Sequence, residues 1–407
     1  MNTYESKELE EVKRSIQESE AYLDKIRGCF VGGAAGDALG YAVEFQKEDQ
    51  IFQRYGNRGI TEYKSDHLSG KALISDDTQM TLFTANGLLV GDTRGAMRGI
   101  RALPRCYVAK SYFDWLKTQR MSYKEYKNKP LQDIGWPGSW LLDVPELFNR
   151  RAPGSTCLYA LRERDEGDVI SESYIKAPLN DSKGCGGIMR VAPLALGYRH
   201  TSMDKLDMEG AEIAAITHGH SLGYMPAAVL VHVINRIVFG EEQNSLKDIV
   251  LEAKETVADL FREDEHLKEL TDIIDLATEL SENESDDLDN IHRIGEGWVA
   301  EETLGIAIYC SLRHQNSFSD GVIAAVNHNG DSDSTGAVTG NILGALLGDE
   351  AIEEKWKTDL ELKDVIIEMA DDICHGCQIS EYGSYTDRDW ERKYIYMHWR
   401  EEDVDPD

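Results

Sequence analysis

The sequence predicts an all-α protein. Three observations predict it: apolar residues recur at helical spacing along most of the chain, strand-like alternation is scarce, and two segments carry glycine at every fourth position. Leu9, Val12, Ile16, Leu23, Ile26 and Phe30 would line one face of a leading helix over residues 1–26. A single helical domain is expected from 27 to 407. Similar apolar faces recur from Met80 to Leu89, Ala211 to Ile216, Ala227 to Val238, Ile249 to Phe261 and Thr303 to Leu312. The strand-like runs, such as Ile60 to Tyr63, are short.

The glycine periods are Gly28, Gly32, Gly36 and Gly40, and then Gly336, Gly340, Gly344 and Gly348. In a helix this spacing draws a stripe without side chains, along which a neighbouring backbone can come close. Glycine costs roughly 1 kcal/mol against alanine inside a helix, so the stripes need a packing reason. Both helices should be central. Residues 241–290 are more polar and predict an insertion of two amphipathic helices, followed by a solvated acidic loop from Glu282 to Asp289. The region from Pro104 to Pro178 is rich in aromatics and proline, with Trp136, Pro137, Gly138 and Trp140 close together. Such loops serve either substrate contact or packing.

Composition excludes several classes of partner. The chain has 407 residues, with 74 acidic against 43 basic and a net charge of −31, which repels nucleic acid and anionic membranes. Neither is expected as a partner. The Glu- and Lys-rich start lacks the apolar run of a signal peptide, and no stretch reaches the roughly 18 consecutive apolar residues of a membrane span. The 7 cysteines, odd in number and scattered, suggest reduced thiols. Cys374 and Cys377 form one CxxC around His375, without the second pair of a structural zinc site. These features predict a cytoplasmic protein, and nothing demands more than a monomer.

Four constellations could carry chemistry. Ser75-Asp76-Asp77-Thr78 stands directly before an apolar helix, where Ser and Asp are ordinary caps. Asp331-Ser332-Asp333-Ser334-Thr335 opens another helix and offers the oxygen side chains that hard cations prefer. A calcium-loop reading of it fails, because Ile342 holds the place of the twelfth-position Glu. The string also fits the Asp-x-Asp-x-Thr nucleophile of haloacid-dehalogenase-like phosphatases, which requires a preceding apolar strand, and this is kept as the runner-up. Asp37, between Gly36 and Gly40 and followed by Glu44, is costly in an apolar helix unless a metal or a hydrogen-bond network compensates it. Finally, Ser182-Lys183-Gly184-Cys185-Gly186-Gly187 is a loop whose backbone N–H groups could face an anion, or a simple tight turn. Cys185 with His218 would make a thiol nucleophile and base, but no third orienting group is evident, so a packed small residue is preferred. His218 reads equally as a core histidine and as a ligand contact.

Taken in order, Gly-Asp-Ala-Leu-Gly with Glu44, Ser-Asp-Asp-Thr, Lys-Gly-Cys-Gly-Gly-Ile-Met-Arg, Thr217-His218, Gly297-Trp298-Val299-Ala300-Glu301-Glu302 and Gly330-Asp331-Ser332-Asp333-Ser334 resemble the ADP-ribosylglycohydrolase family. The resemblance spans roughly Arg27 to Gly348, and Ala-Val-Glu-Phe is similar to the bacterial dinitrogenase-reductase-activating branch. It implies an orthogonal helical bundle with two Mg²⁺ or Mn²⁺ ions in a cleft, held by Ser75, Asp76, Asp77, Asp331, Asp333 and Ser334. It implies Glu44 and Asp77 as candidate bases, Asp133 as a substrate-facing acid, and Ser182 to Gly187 with His218 around the ADP-ribose. The implied substrate is an ADP-ribosylated protein, with arginine preferred over serine as the attachment residue, or a small ADP-riboside. Ser75 stands where Thr is common and Cys185 where some members carry Asn. A non-catalytic ADP-ribose-binding protein is the remaining alternative.

Overall fold

Helix α1 runs unbroken from Thr3 to Tyr41, so no break separates a leading helix from the rest. In this computed structural model the described residues are 3–99, 102–130, 133, 138–164, 173–240, 243–380 and 382–397, with side chains described from residue 19. The side chains of Leu9, Val12 and Ile16, and the residues Trp136 and Pro137, therefore fall outside what is described.

The glycine stripe of α1 lies antiparallel against that of α15 (Ser332–Leu347). A Cβ built on Gly28 would sit 2.2 Å from the Gly344 carbonyl, one on Gly32 2.4 Å from Gly340 O, and one on Gly36 1.9 Å from Gly336 O. The two backbones touch where neither has a side chain, which is the packing reason the spacing demanded. Gly348 departs from the expectation. It caps α15 at φ +85°, a value open to glycine, instead of lying inside the helix, while its backbone still meets α1 at Gly28 and Asp24. At the other end, Gly40 lies against Ser332 O, which brings the last turn of α1 to the first turn of α15.

Between these in sequence come α2 (Glu48–Tyr55), α3 (Asp76–Arg98), α4 (Pro104–Arg120), α5 (Tyr123–Asn128), α6 (Ser155–Glu163), α7 (Ala192–Gly197), α8 (Met203–Ala215) and α9 (Ser221–Phe239). Then follow α10 (Leu246–Leu260), α11 (Leu267–Leu280), α12 (Asp287–Ile294), α13 (Ala300–Arg313) and α14 (Phe318–Val326). Gly87 of α3 meets Val108 of α4, where an added Cβ would lie 2.7 Å from the Val108 Cα. Helix α9 is long and apolar enough to cross a bilayer, but it is buried inside the fold, which accounts for its composition.

Residues 246–280 form two amphipathic helices. Leu246, Ile249, Val250, Ala253 and Val257 of α10 are buried, as are Leu270, Ile274, Ala277 and Leu280 of α11. The acidic loop is shorter than expected: Asp287 and Asp289 lie in the first turn of α12, where acids complement the helix dipole. Among the described residues there is no β-strand; Ile60–Tyr63 is irregular, and two isolated bridges, Ala72–Leu360 and Gly184–Val299, are the extent of strand pairing. The phosphatase reading fails here, because Asp331 follows a bend rather than a strand. All seven cysteines are free.

Candidate active site

Asp37 has a structural task. Its carboxylate accepts from Ser75 N (3.0 Å), Thr78 N (3.1 Å) and Thr78 Oγ1 (2.5 Å), tying the start of α3 to α1. These bonds satisfy orphan donors at a helix N-terminus and compensate an acid inside an apolar helix. Ser75 caps the same helix, its Oγ accepting from Asp77 N at 3.1 Å. At the start of α15, Asp331 Oδ1 accepts from Ser334 N at 3.2 Å. Both capping motifs thus do cap helices, but their remaining carboxylates turn into common space.

That space is a cleft of about 400 Å³, lined by Glu44, Asp76, Asp77, Asp331, Asp333 and Ser334 on one side and by Gly184, Cys185, Gly186 and His218 on another. Acids far apart in sequence therefore converge. Ser75, Ser182, Lys183 and Gly187 do not line it. Lys183 forms an ion pair with Glu301, Ser182 Oγ contacts Thr156 Oγ1 at 3.3 Å, and Gly187 packs on Gly223 O. Asp133 is exposed and absent from the cleft wall, so its assignment as a substrate-facing acid lacks positional support. A larger cavity of about 740 Å³ lies elsewhere, but four of its acids are taken up in ion pairs: Asp143 with Lys127, Asp371 with Arg27, and Glu368 and Asp372 with Lys393.

Among the described residues, the lining of the smaller cleft contains no Lys or Arg. Burial first, and then repulsion from Asp331, Asp76 and Asp37, pushes Glu44 up to about 8. Burial also raises Asp76 to about 8, against the Gly154 N–H that it accepts at 3.2 Å. Asp77 and Asp333 are pushed well above the carboxylate range, mainly by burial and then by neighbouring acids. Asp77 Oδ2 and Glu44 Oε2 are buried without hydrogen-bond partners. Such a cluster is stable only if it gains protons or cations. Its donors are hard oxygens, which suits Mg²⁺ or Mn²⁺ rather than zinc. Among the described residues, however, no three His, Cys, Asp or Glu side chains already meet as a formed ion cage. Donor chemistry and orphan oxygens fit a divalent ion.

The glycine loop is more packed than an open anion cradle. Cys185 N donates to Trp298 O at 3.3 Å and Gly184 N to Ser182 Oγ at 3.3 Å, so two of the expected amides are engaged. Gly186 lies over His218, where an added Cβ would be 2.9 Å from Cε1. Cys185 Sγ contacts Asp331 Oδ2 at 2.8 Å, and burial followed by the Asp331 charge drives its thiol far up. A thiol kept protonated is a poor nucleophile, which closes that reading.

Sequence reasoning missed the Ala152–Thr156 wall of the cleft, next to Asp76. Ala152 takes φ +50°, a left-handed value rare for a residue with Cβ, and the Pro153-Gly154 pair after it is the turn signal that was available. Phe45 and Trp298 also line the cleft at 75% and 43% exposure, and offer aromatic surface at its mouth.

Human ADP-ribosylhydrolase ARH3 is 24% identical over 364 residues, covering 83% of this chain and 90% of the relative. The dinitrogen reductase ADP-ribosyl glycohydrolase of Rhodospirillum rubrum is 24% identical over 344 residues, covering 84% and 91%. A solved ADP-ribosylglycohydrolase-related protein complex shares the fold at TM-score 0.58 and 23% identity, over 88% of this chain and 99% of that one. Residues 18–382 match the sequence model of ADP-ribosylglycohydrolases. The chain is a hydrolase that belongs to the ADP-ribosylglycohydrolase family.

Proposed function

We propose that the cleft hydrolyses the glycosidic bond between ADP-ribose and a modified side chain, in a divalent-metal-dependent reaction. The observation that carries this reading is the convergence of Asp76 and Asp77 with Asp331 and Asp333 in one cleft whose described lining holds no balancing Lys or Arg. Asp76, Asp77, Asp331, Asp333 and Ser334 would hold two Mg²⁺ or Mn²⁺ ions, with Ser75, which caps the same helix just behind the cleft wall, as a further candidate. When bound, such ions neutralise the acids, polarise ribose hydroxyls and lower the pKa of bound water from about 15.7 toward neutrality.

Glu44 and Asp77 would act as bases for the attacking water, since each places a buried, unpartnered oxygen in the cleft wall. Departure of the side chain, which leaves as a neutral guanidine or hydroxyl by taking up a proton that the attacking water finally replaces, gives an oxocarbenium-like ribose that nearby carboxylates stabilise. His218 and the Gly184–Gly186 turn would hold the remainder of the ADP-ribose. Arginine is the first candidate for the attachment residue, following the resemblance to the dinitrogenase-reductase-activating branch, and serine is the second.

Release of free ADP-ribose from arginine- and serine-modified peptides tests this reading. We expect release that stops with a chelator and returns with Mg²⁺ or Mn²⁺. Unchanged turnover after exhaustive metal removal would overturn it.

A further inference from the structure

Arg190 is fully buried, and among the described residues no carboxylate pairs with its guanidinium. Nη2 donates to Thr217 Oγ1 at 2.6 Å, Nη1 faces Cys157 Sγ at 3.3 Å and Met80 Sδ at 3.4 Å, and the group lies 4.5 Å from the Tyr112 ring centroid. Nε has no hydrogen-bond partner among the described residues. Burying a charge this way is expensive, so the arrangement calls for a reason.

Hydrogen-bond direction supplies one. Arginine has donors and no acceptor, so Thr217 Oγ1 must accept from it. The same oxygen lies 2.8 Å from His218 Nδ1 and 3.9 Å from Cys157 Sγ. A hydroxyl has one proton to give. Donated to Nδ1, it makes a short, strong bond; turned to the sulfur, it makes a long contact with a weak acceptor. The second arrangement would also leave the imidazole's other nitrogen as a bare lone pair beside a cleft of carboxylates.

We infer that Arg190, acting through Thr217, locks His218 in the tautomer that carries its proton on Nε2, so that the ring presents a fixed N–H donor to an oxygen of the bound ligand. His218 lines the cleft, and its Nε2 lies beneath the glycine turn, 3.4 Å from where a Cβ on Gly184 would stand. Burial, and secondarily the Arg190 charge, hold the imidazole down to about 3, so it stays neutral at ordinary pH. Identifying the ligand oxygen as a phosphate or ribose oxygen rests on the ADP-ribose reading; the tautomer does not. Arg190 and Thr217 are positioning residues.

The test uses the full chain labelled with ¹⁵N-histidine, observing the ring nitrogens by NMR and assigning His218 by the signals lost in His218→Asn. We expect Nε2 protonated and Nδ1 bare, unchanged from about pH 6 to about pH 8. Thr217→Val should let the tautomers exchange and weaken ADP-ribose binding about tenfold, and Thr217→Ser should restore both. A proton on Nδ1 in the wild type, or a Val variant with unchanged tautomer and affinity, would overturn the inference. If the Val variant does not fold, the wild-type spectrum alone decides. A wild-type spectrum as expected, without any ADP-ribose binding, would sink the functional reading and leave the tautomer standing.

Discussion

Asp37 and Thr78 are joined by a 2.5 Å hydrogen bond, from Thr78 Oγ1 to Asp37 Oδ2, in a fully buried setting. The same carboxylate takes the Ser75 and Thr78 N–H groups. The acid in the glycine-lined helix α1 therefore fixes where α3 begins, and with it where Asp76 and Asp77 stand.

Asp37→Ala should cost about 3 kcal/mol or more, since it strands buried donors worth roughly 1–3 kcal/mol each. Asp37→Asn should cost less. Chemical denaturation of the two variants measures the difference, and a neutral Asp37→Ala would mean that α3 is held some other way.

The contact of α1 with α15 predicts that helix propensity loses to sterics. Gly36→Ala gains about 1 kcal/mol of propensity but puts a methyl 1.9 Å from Gly336 O, so the variant should be strongly destabilised or insoluble. At Gly197 of α7, the nearest neighbour of an added Cβ is 3.8 Å away, and alanine should be tolerated. Equal melting temperatures for the two would contradict the packing described.

This contact was legible in the sequence because backbone approach is written into a four-residue glycine spacing. The acidic pairs were legible as caps, but which acids turn inward depends on partners far away in the chain. Asp37 shows the limit: metal and hydrogen-bond readings stood level until Ser75 and Thr78 were seen against it. The Ala152–Thr156 wall was missed because its conformation answers to Asp76, a tertiary partner. Gly348 was read as helical because a helix-ending glycine and a packing glycine look alike in sequence.

Metal-free stability should fall as pH rises. Glu44 and Asp76 are raised to about 8 in the folded protein, against about 4 in an unfolded chain. Between these values the native state holds protons that the unfolded state releases, so each pH step upward favours unfolding. The melting temperature should drop on the order of 5 °C from about pH 5 to about pH 8.5, and saturating Mn²⁺ should flatten the profile. A metal-free protein that gains stability across this window would show that the carboxylates are already compensated.

Asp333→Asn and Asp77→Asn should lower turnover by about 10³-fold or more. Neither should destabilise the metal-free protein, because an amide in place of a repelled buried carboxylate relieves charge. Kinetics and melting curves on the same preparations separate this from simple misfolding.

The most direct measurement is calorimetric titration of Mn²⁺ into metal-free wild type, Asp77→Asn and Asp333→Asn. Wild type should bind two ions, and each substitution, although the two lie on different helices, should disrupt the same site. If either variant binds Mn²⁺ with wild-type stoichiometry and affinity, the two acidic clusters do not share a cation site.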